Sequence, residues 1–179
     1  GSRFSLACLP KEDYPIIEKD NSGADINLNS KILLKLIDKT KFAISNEETR
    51  YFLNGLYFNV TNENSKNIVT LVGTDGHRLA KFSHEIKEKA DQVPGVIIPK
   101  KTIYELSKLL SEIDCDVNIS ISSNKIVFII EEIIFISKLI DGSFPDYKRV
   151  IPSDNKNILK INRDQLLSAV DRVSTIANE

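Results

Sequence analysis

The 179-residue sequence has few of the features that mark disulfide-stabilised, cysteine-metal and membrane-spanning proteins. It contains only two cysteines, Cys8 and Cys115, and no CxxC pair, which argues against a disulfide framework and excludes a cysteine-based metal knuckle. No apolar run approaches the roughly 20 residues that a transmembrane helix needs, and no basic-then-apolar segment opens the chain. We therefore expect a soluble cytoplasmic protein with reduced thiols.

Neither sign of charge dominates, because 24 Lys and Arg residues balance 25 Asp and Glu residues. The field of the whole molecule cannot attract a polyanion, so any nucleic-acid surface must come from local segregation of charge. Apolar residues make up 41% of the chain, which is enough for a packed core. The length suits one well-cored domain with attached segments.

A β-α-β-β-β order is predicted twice between about residues 25 and 140. Alternating and β-branched segments predict strands, and apolar residues at helical spacing predict one helix capped by Asn29 or Ser30 and a second that starts after Pro99. These elements favour an α+β fold with two helices packed on one face of an antiparallel sheet. The predicted strands are 25–28, 51–60, 68–74, 78–83, 96–98, 117–122, 125–130 and 133–140, and the first helix runs to about residue 44.

A longer repeat is also present. At an offset of 133, Asn29, Leu33, Leu34 and Asp38 match Asn162, Leu166, Leu167 and Asp171, so the C-terminal segment predicts a second copy of the first helix. Near the N-terminus, Phe4 matches Phe135, and Tyr14-Pro15 matches Phe144-Pro145. Two matches at nearly one period indicate a complete repeat flanked by pieces of two others.

The predicted helices carry lysines opposite their apolar stripes. On the first helix Lys31, Lys35 and Lys39 fall within about 80° of one another. The second helix offers Lys100 and Lys101 near its start. Such a surface could contact phosphates without reading bases, but lysines on exposed helices also serve solubility, and the pattern alone favours solubility.

The segment Thr74 to Leu79 (TDGHRL) joins two predicted strands. An Asp-Gly pair between apolar strands predicts a tight turn, since glycine tolerates positive φ. A catalytic alternative would make Asp75 orient His77 as a general base, but no nucleophile stands in a recognisable setting. A metal alternative would need ligands beyond His84, whose spacing zinc sites do not use.

Three segments then resemble a known family. Residues 50–58 (RYFLNGLYF), 74–80 (TDGHRLA) and 137–152 (SKLIDGSFPDYKRVIP), with their spacing, are similar to the second domain of the bacterial DNA polymerase III beta subunit, the sliding clamp. The resemblance implies a DNA-clamp fold with three such domains per subunit and a homodimeric ring around duplex DNA. It implies a processivity factor without catalytic activity or cofactor. It also divides the chain into the end of a preceding domain (1–22), a complete central domain (23–151) and the start of a following one (152–179).

The resemblance also implies two surfaces. Partners, among them the polymerase alpha subunit and the clamp loader, would insert a short peptide into an apolar cleft formed here by Leu53, Thr74, Gly76, His77, Arg78, Leu79, Pro145, Arg149 and Val150. Duplex DNA would face Lys31, Lys35, Lys39, Lys100, Lys101, Arg50 and Tyr51. The acids Glu47 and Glu48 depart from what a phosphate-facing loop needs. A β-rich interaction module that does not encircle DNA, and a hydrolase using Asp75 and His77, remain as alternatives.

Overall fold

The computed structural model describes residues 1–13, 24–86 and 93–177, and divides into compact units 1–144 and 145–179. In its described residues, the first unit has two α-helices and eight strands in the predicted β-α-β-β-β order, twice over. The α+β class is therefore confirmed. The elements are β1 (Ala24–Asn29), α1 (Ser30–Asp38), β2 (Gly55–Glu63), β3 (Lys66–Thr74), β4 (Leu79–Ile86), β5 (Val93–Pro99), α2 (Lys100–Ser111), β6 (Asp116–Ile121), β7 (Lys125–Ile130) and β8 (Ile133–Lys138).

The strands form two four-stranded antiparallel sheets in which the halves exchange their first strands. One sheet has the order β1-β6-β7-β8 and the other β4-β3-β2-β5. β1 therefore joins the strands of the second half, and β5 joins those of the first. The first residue of each helix also bonds to the other half of the unit. Ser30 N donates to Cys115 O at 2.8 Å, and Lys100 N donates to Asn54 O at 2.9 Å. Neither half completes a sheet alone.

One apolar core serves both halves. The helices contact each other, α1 packs on β1, β3 and β4, and α2 packs on β2 and β5. The core contains Phe58 from the first half and Phe128 from the second, both with no exposed surface. The apolar stripes predicted on the helices are buried in it: Leu33, Leu36 and Ile37 on α1, and Ile103, Leu106 and Leu110 on α2.

Most predicted strand limits differ from the structure by one to three residues, and two predicted boundaries differ by more. α1 ends at Asp38 and does not reach residue 44, because the Thr40 side chain donates to Leu36 O at 2.8 Å and the chain then tightens into a 3₁₀ turn, Lys41–Ala43. The segment predicted as the start of a strand at residue 51 is a second 3₁₀ turn, Tyr51–Leu53, and β2 begins at Gly55. The aromatic residues of this segment predicted a strand, but backbone hydrogen bonds between residues three apart form a 3₁₀ turn instead.

The second unit contains α3 (Arg163–Ser174), which confirms the helix expected from the repeat. Asn162 caps it by accepting from Asp164 N at 2.9 Å and Gln165 N at 3.2 Å, as Asn29 caps α1 by accepting from Lys31 N at 3.0 Å. The Tyr14-Pro15 part of the N-terminal match lies outside the described residues. No helix among those described is both long and apolar enough to span a bilayer.

Candidate functional site

The turn between β3 and β4, residues Thr74 to Leu79, is held by its own polar groups. Gly76 adopts a φ of 90°, which glycine tolerates and other residues rarely adopt. Asp75 Oδ1 accepts the backbone N–H of both His77 and Arg78 at 3.0 Å, and Asp75 Oδ2 accepts Arg78 Nε at 3.0 Å. Thr74 Oγ1 donates to Arg78 O at 2.8 Å and accepts Gly76 N at 3.2 Å. The tight turn predicted from Asp-Gly is confirmed.

These hydrogen bonds explain the low pKa of Asp75. The backbone N–H groups of Arg78 and His77 and the Arg78 guanidinium stabilise the carboxylate and lower its pKa to about 2. Asp75 meets His77 through the backbone amide, so this hydrogen bond does not orient an imidazole for acid-base work. The geometry favours a structural role for Asp75.

Asp75 is expected to stay ionised far into the acid range. Its folded pKa lies below the ordinary 3.8, so its stabilisation of the turn is fully present above pH 3.8 and is lost as the pH falls towards 2. The backbone amide shifts of His77 and Arg78, followed by NMR against pH, should titrate with a midpoint near 2. Asp75→Asn should remove the titration, and a midpoint near 3.8 would contradict the assignment.

The predicted peptide-binding residues of the first unit differ in exposure. Gly76, His77 and Arg78 are exposed at the tip of the β3–β4 turn, while Thr74 and Leu79 at its base are half-buried. Leu53 is only 3% exposed. It lies beneath the surface, so its side chain can support the site but presents little area of its own.

The other predicted peptide-binding residues belong to the second unit. Pro145 precedes a 3₁₀ turn, Tyr147–Arg149, which Asp146 caps by accepting from Lys148 N. Arg149 Nε lies 2.9 Å from Asp146 Oδ2, and Val150 is 67% exposed. An exposed valine beside an exposed arginine can contribute an apolar contact and a polar one.

Arg50, predicted to face DNA, lies against the β3–β4 turn. Its Nε and Nη2 donate to the two carboxylate oxygens of Glu47 at 2.8 and 2.6 Å, and Nη2 also donates to Asp75 O at 3.3 Å. The pairing lowers the pKa of Glu47 and raises that of Arg50. Nearby Tyr51 is 54% exposed and makes an edge contact with Phe52 at 5.9 Å between ring centroids. Nothing in the sequence marked Glu47 as a partner except its spacing of three from Arg50.

The predicted DNA-facing lysines lie on the outer sides of the helices. Lys31, Lys35, Lys39 and Lys101 are exposed, and Lys100 is half-buried. Lys31 contacts the carboxylate of Asp114, which lowers the pKa of that acid and offsets the charge of the lysine. The ammonium groups of Lys35 and Lys100 lie 5.7 Å from the ring centroids of Phe82 and Tyr104, respectively. In the described ranges, no group of His, Cys, Asp and Glu is arranged to hold a metal ion.

Solved structures of DNA sliding clamps have the same architecture. A sliding clamp from Bartonella birtlesii, solved bound to griselimycin, has a TM-score of 0.89 and 49% identity, and the match covers 98% of this chain and 47% of that one. A DNA polymerase sliding clamp from Caulobacter crescentus has a TM-score of 0.90 and 46% identity, with coverage of 99% and 48%. The fold is thus that of a clamp domain.

The family follows from the sequence matches. Residues 27–146 match the central-domain model of the DNA polymerase III beta subunit, and this chain belongs to that family. It is 46% identical over 178 residues to the beta sliding clamp of Caulobacter vibrioides and 39% identical to that of Haemophilus influenzae. The matches cover 99% of this chain and 48% and 47% of those proteins, so the chain spans about half their length.

Proposed function

We propose that this chain is the middle part of a DNA sliding clamp, a processivity factor that tethers the replicative polymerase to duplex DNA without catalysing a reaction itself. The observation that carries the proposal is the preformed, solvent-exposed β3–β4 turn on a clamp-family domain. In the complete protein, two subunits would close into a ring in the cytoplasm. The proposed domain limits are residues 1–22, 23–151 and 152–179, and the repeated asparagine caps of α1 and α3 support the last of them.

DNA would face the helices in a sequence-independent way. A ring that slides needs phosphate contacts without base recognition, and exposed lysines provide point charges for such contacts. The exposed lysines on α1 and α2 support this role. Because Asp114 already compensates Lys31, we expect Lys35, Lys39 and Lys101 to contribute more to DNA attraction than Lys31 does.

Partner proteins would dock a short peptide at the β3–β4 turn. Leu79 supplies apolar surface, while His77 and Arg78 supply polar groups that orient the peptide. The turn is already shaped by the bonds to Asp75, so binding need not order it, which lowers the entropic cost of association. The proposed partners are the DNA polymerase III alpha subunit and the clamp loader.

A peptide titration tests the docking proposal. A fluorescently labelled peptide carrying the clamp-binding motif of the polymerase alpha subunit should bind the chain, and Leu79→Asp should weaken binding at least roughly tenfold, because the apolar anchor of the turn becomes charged. Fluorescence anisotropy and amide shift changes would measure the affinity.

A matched variant controls for surface charge. Ile134→Asp makes a similar apolar-to-acid change at an exposed position of β8, where Ile134 is 62% exposed. It should bind the peptide as the unchanged chain does. No binding by the unchanged chain up to millimolar peptide, or unchanged binding by the Leu79→Asp variant, would refute the docking site.

A further inference from the structure

The guanidinium of Arg50 joins two segments that are distant in sequence. Two of its bonds go to the carboxylate of Glu47, three residues earlier, and one goes to the carbonyl of Asp75 in the β3–β4 turn. A bidentate arginine–carboxylate pair fixes the plane of the guanidinium as well as its position. The pair with Glu47, in the same loop, therefore orients the guanidinium that bonds to Asp75 O in the turn.

Gly76 leaves room for this arrangement. A Cβ built on Gly76 would lie 2.6 Å from Arg50 Nη1 and 3.4 Å from its Cζ and Nη2 atoms. The guanidinium thus occupies the space beside Gly76 that a side chain would fill. The missing Cβ serves the packing of Arg50 as well as the positive φ of the turn.

The loop that carries Glu47 and Arg50 is itself anchored. Ser45 N donates to Leu53 O at 3.1 Å, and Leu53 N donates to Arg50 O at 2.8 Å. Asn54 Nδ2 donates to Glu47 O at 3.0 Å, and Glu47 N donates to Ser45 Oγ at 3.1 Å. Since Ser45 and Leu53 are buried, these bonds tie the loop to the core. The loop can act as a fixed support for the turn.

We propose that Glu47 and Arg50 are positioning residues for partner docking, which brace the β3–β4 turn against the core so that His77, Arg78 and Leu79 meet the peptide in a fixed place. The inference rests on the proposed function. Asp75 fixes the conformation within the turn, whereas Arg50 fixes the turn relative to the loop. Because Glu47 offsets its charge, Arg50 serves the turn and adds little attraction for DNA.

Two substitutions of the brace test the proposal in the full chain. Glu47→Gln removes the ionic partner that orients the guanidinium, and Arg50→Gln removes the guanidinium that donates to both Glu47 and Asp75. Each should weaken binding of the polymerase-derived peptide roughly three- to tenfold, as expected when an oriented charge-assisted contact is lost next to a binding surface. Amide shift changes should be concentrated in residues 74–79, with little change in melting temperature.

Strands β3 and β4, which the turn connects, offer a matched control for these substitutions. Lys66 on β3 and Glu85 on β4 form an exposed ion pair at 2.8 Å, at the opposite end of these strands from the turn. Glu85→Gln makes the same acid-to-amide change and should leave peptide affinity unchanged. If Glu47→Gln and Arg50→Gln weaken binding only in proportion to a loss of folded protein, their role is merely structural and the proposal is overturned.

A charge swap tests whether docking depends on the ion pair alone or on the hydrogen bond from Arg50 to Asp75 O. Glu47→Arg together with Arg50→Glu retains opposite charges at the two positions, but a carboxylate at position 50 cannot donate to Asp75 O. The swap should therefore fail to restore affinity, whereas Arg50→Lys, which keeps a donor but not the fork, should recover part of it. Full recovery in the swapped variant would overturn the proposal.

Leu79→Asp distinguishes failure of this inference from failure of the function. If Leu79→Asp abolishes peptide binding while Glu47→Gln and Arg50→Gln bind like the unchanged chain, docking stands and the brace is refuted. If Leu79→Asp also binds normally, the peptide does not dock on this turn, and the proposed docking site itself is wrong.

Discussion

Phe58→Ala is expected to lower the free energy of unfolding of the first compact unit by about 3–5 kcal/mol, because a buried ring is lost and the cavity can close only in part. Phe58 has no exposed surface and lies in the core shared by both halves. Urea unfolding followed by circular dichroism should show a lower midpoint with a similar slope.

Phe42 provides the matched control, because it is 56% exposed in the 3₁₀ turn after α1. Phe42→Ala should cost much less than Phe58→Ala. Phe128→Ala, in the second half, should shift the same single transition, since the exchanged strands prevent either half from unfolding separately. Two separate transitions, or a loss below about 1 kcal/mol for Phe58→Ala, would contradict this account of the core.

Gly55→Ala is expected to destabilise the fold by about 3 kcal/mol through overpacking at the junction of the exchanged strands. A Cβ at Gly55 would lie 2.2 Å from Ile98 O and 2.9 Å from Ile98 C, both backbone atoms that a rotamer change cannot move. Gly55 stands opposite Pro99, where β5 ends and α2 begins. The new methyl group must push β5 away from β2.

Hydrogen exchange should localise this effect. Backbone amides of β2 and β5 should lose protection in Gly55→Ala more than those paired between β3 and β4. At Gly142 the nearest atom to a new Cβ is Phe52 Cβ at 3.2 Å, so Gly142→Ala is the milder comparison. Equal destabilisation at the two glycines would show that the junction is not unusually tight.

Several elements were predictable because their signals are local. Asn29 precedes an apolar stripe of period 3.6 and caps α1, and the same pattern at Asn162 marked α3. The Asp75-Gly76 pair predicted the tight turn, since positive φ and an Asx side chain act within a few residues. The limits of α1 and β2 were missed where side-chain and 3₁₀ bonds competed with periodicity.

The role of Arg50 could not be predicted in the same way. An arginine on a loop can turn towards phosphates or towards its own protein, and sequence spacing does not choose between them. The carboxylate of Glu47, which looked unfavourable beside DNA, forms a bidentate pair with Arg50 and directs it towards Asp75. This choice depends on contacts between residues 25 positions apart.

The sequence by itself determined the element order, the apolar faces, the turn and the family resemblance, because each of these resides in short patterns of residues. Only the tertiary structure decided that β1 and β5 change sheets, that Leu53 lies below the surface, and that Arg50 donates a hydrogen bond to Asp75 O in the β3–β4 turn. Strand partners and the direction of a long side chain are chosen by packing among distant segments. The local propensities of residues do not specify which distant segments pack together.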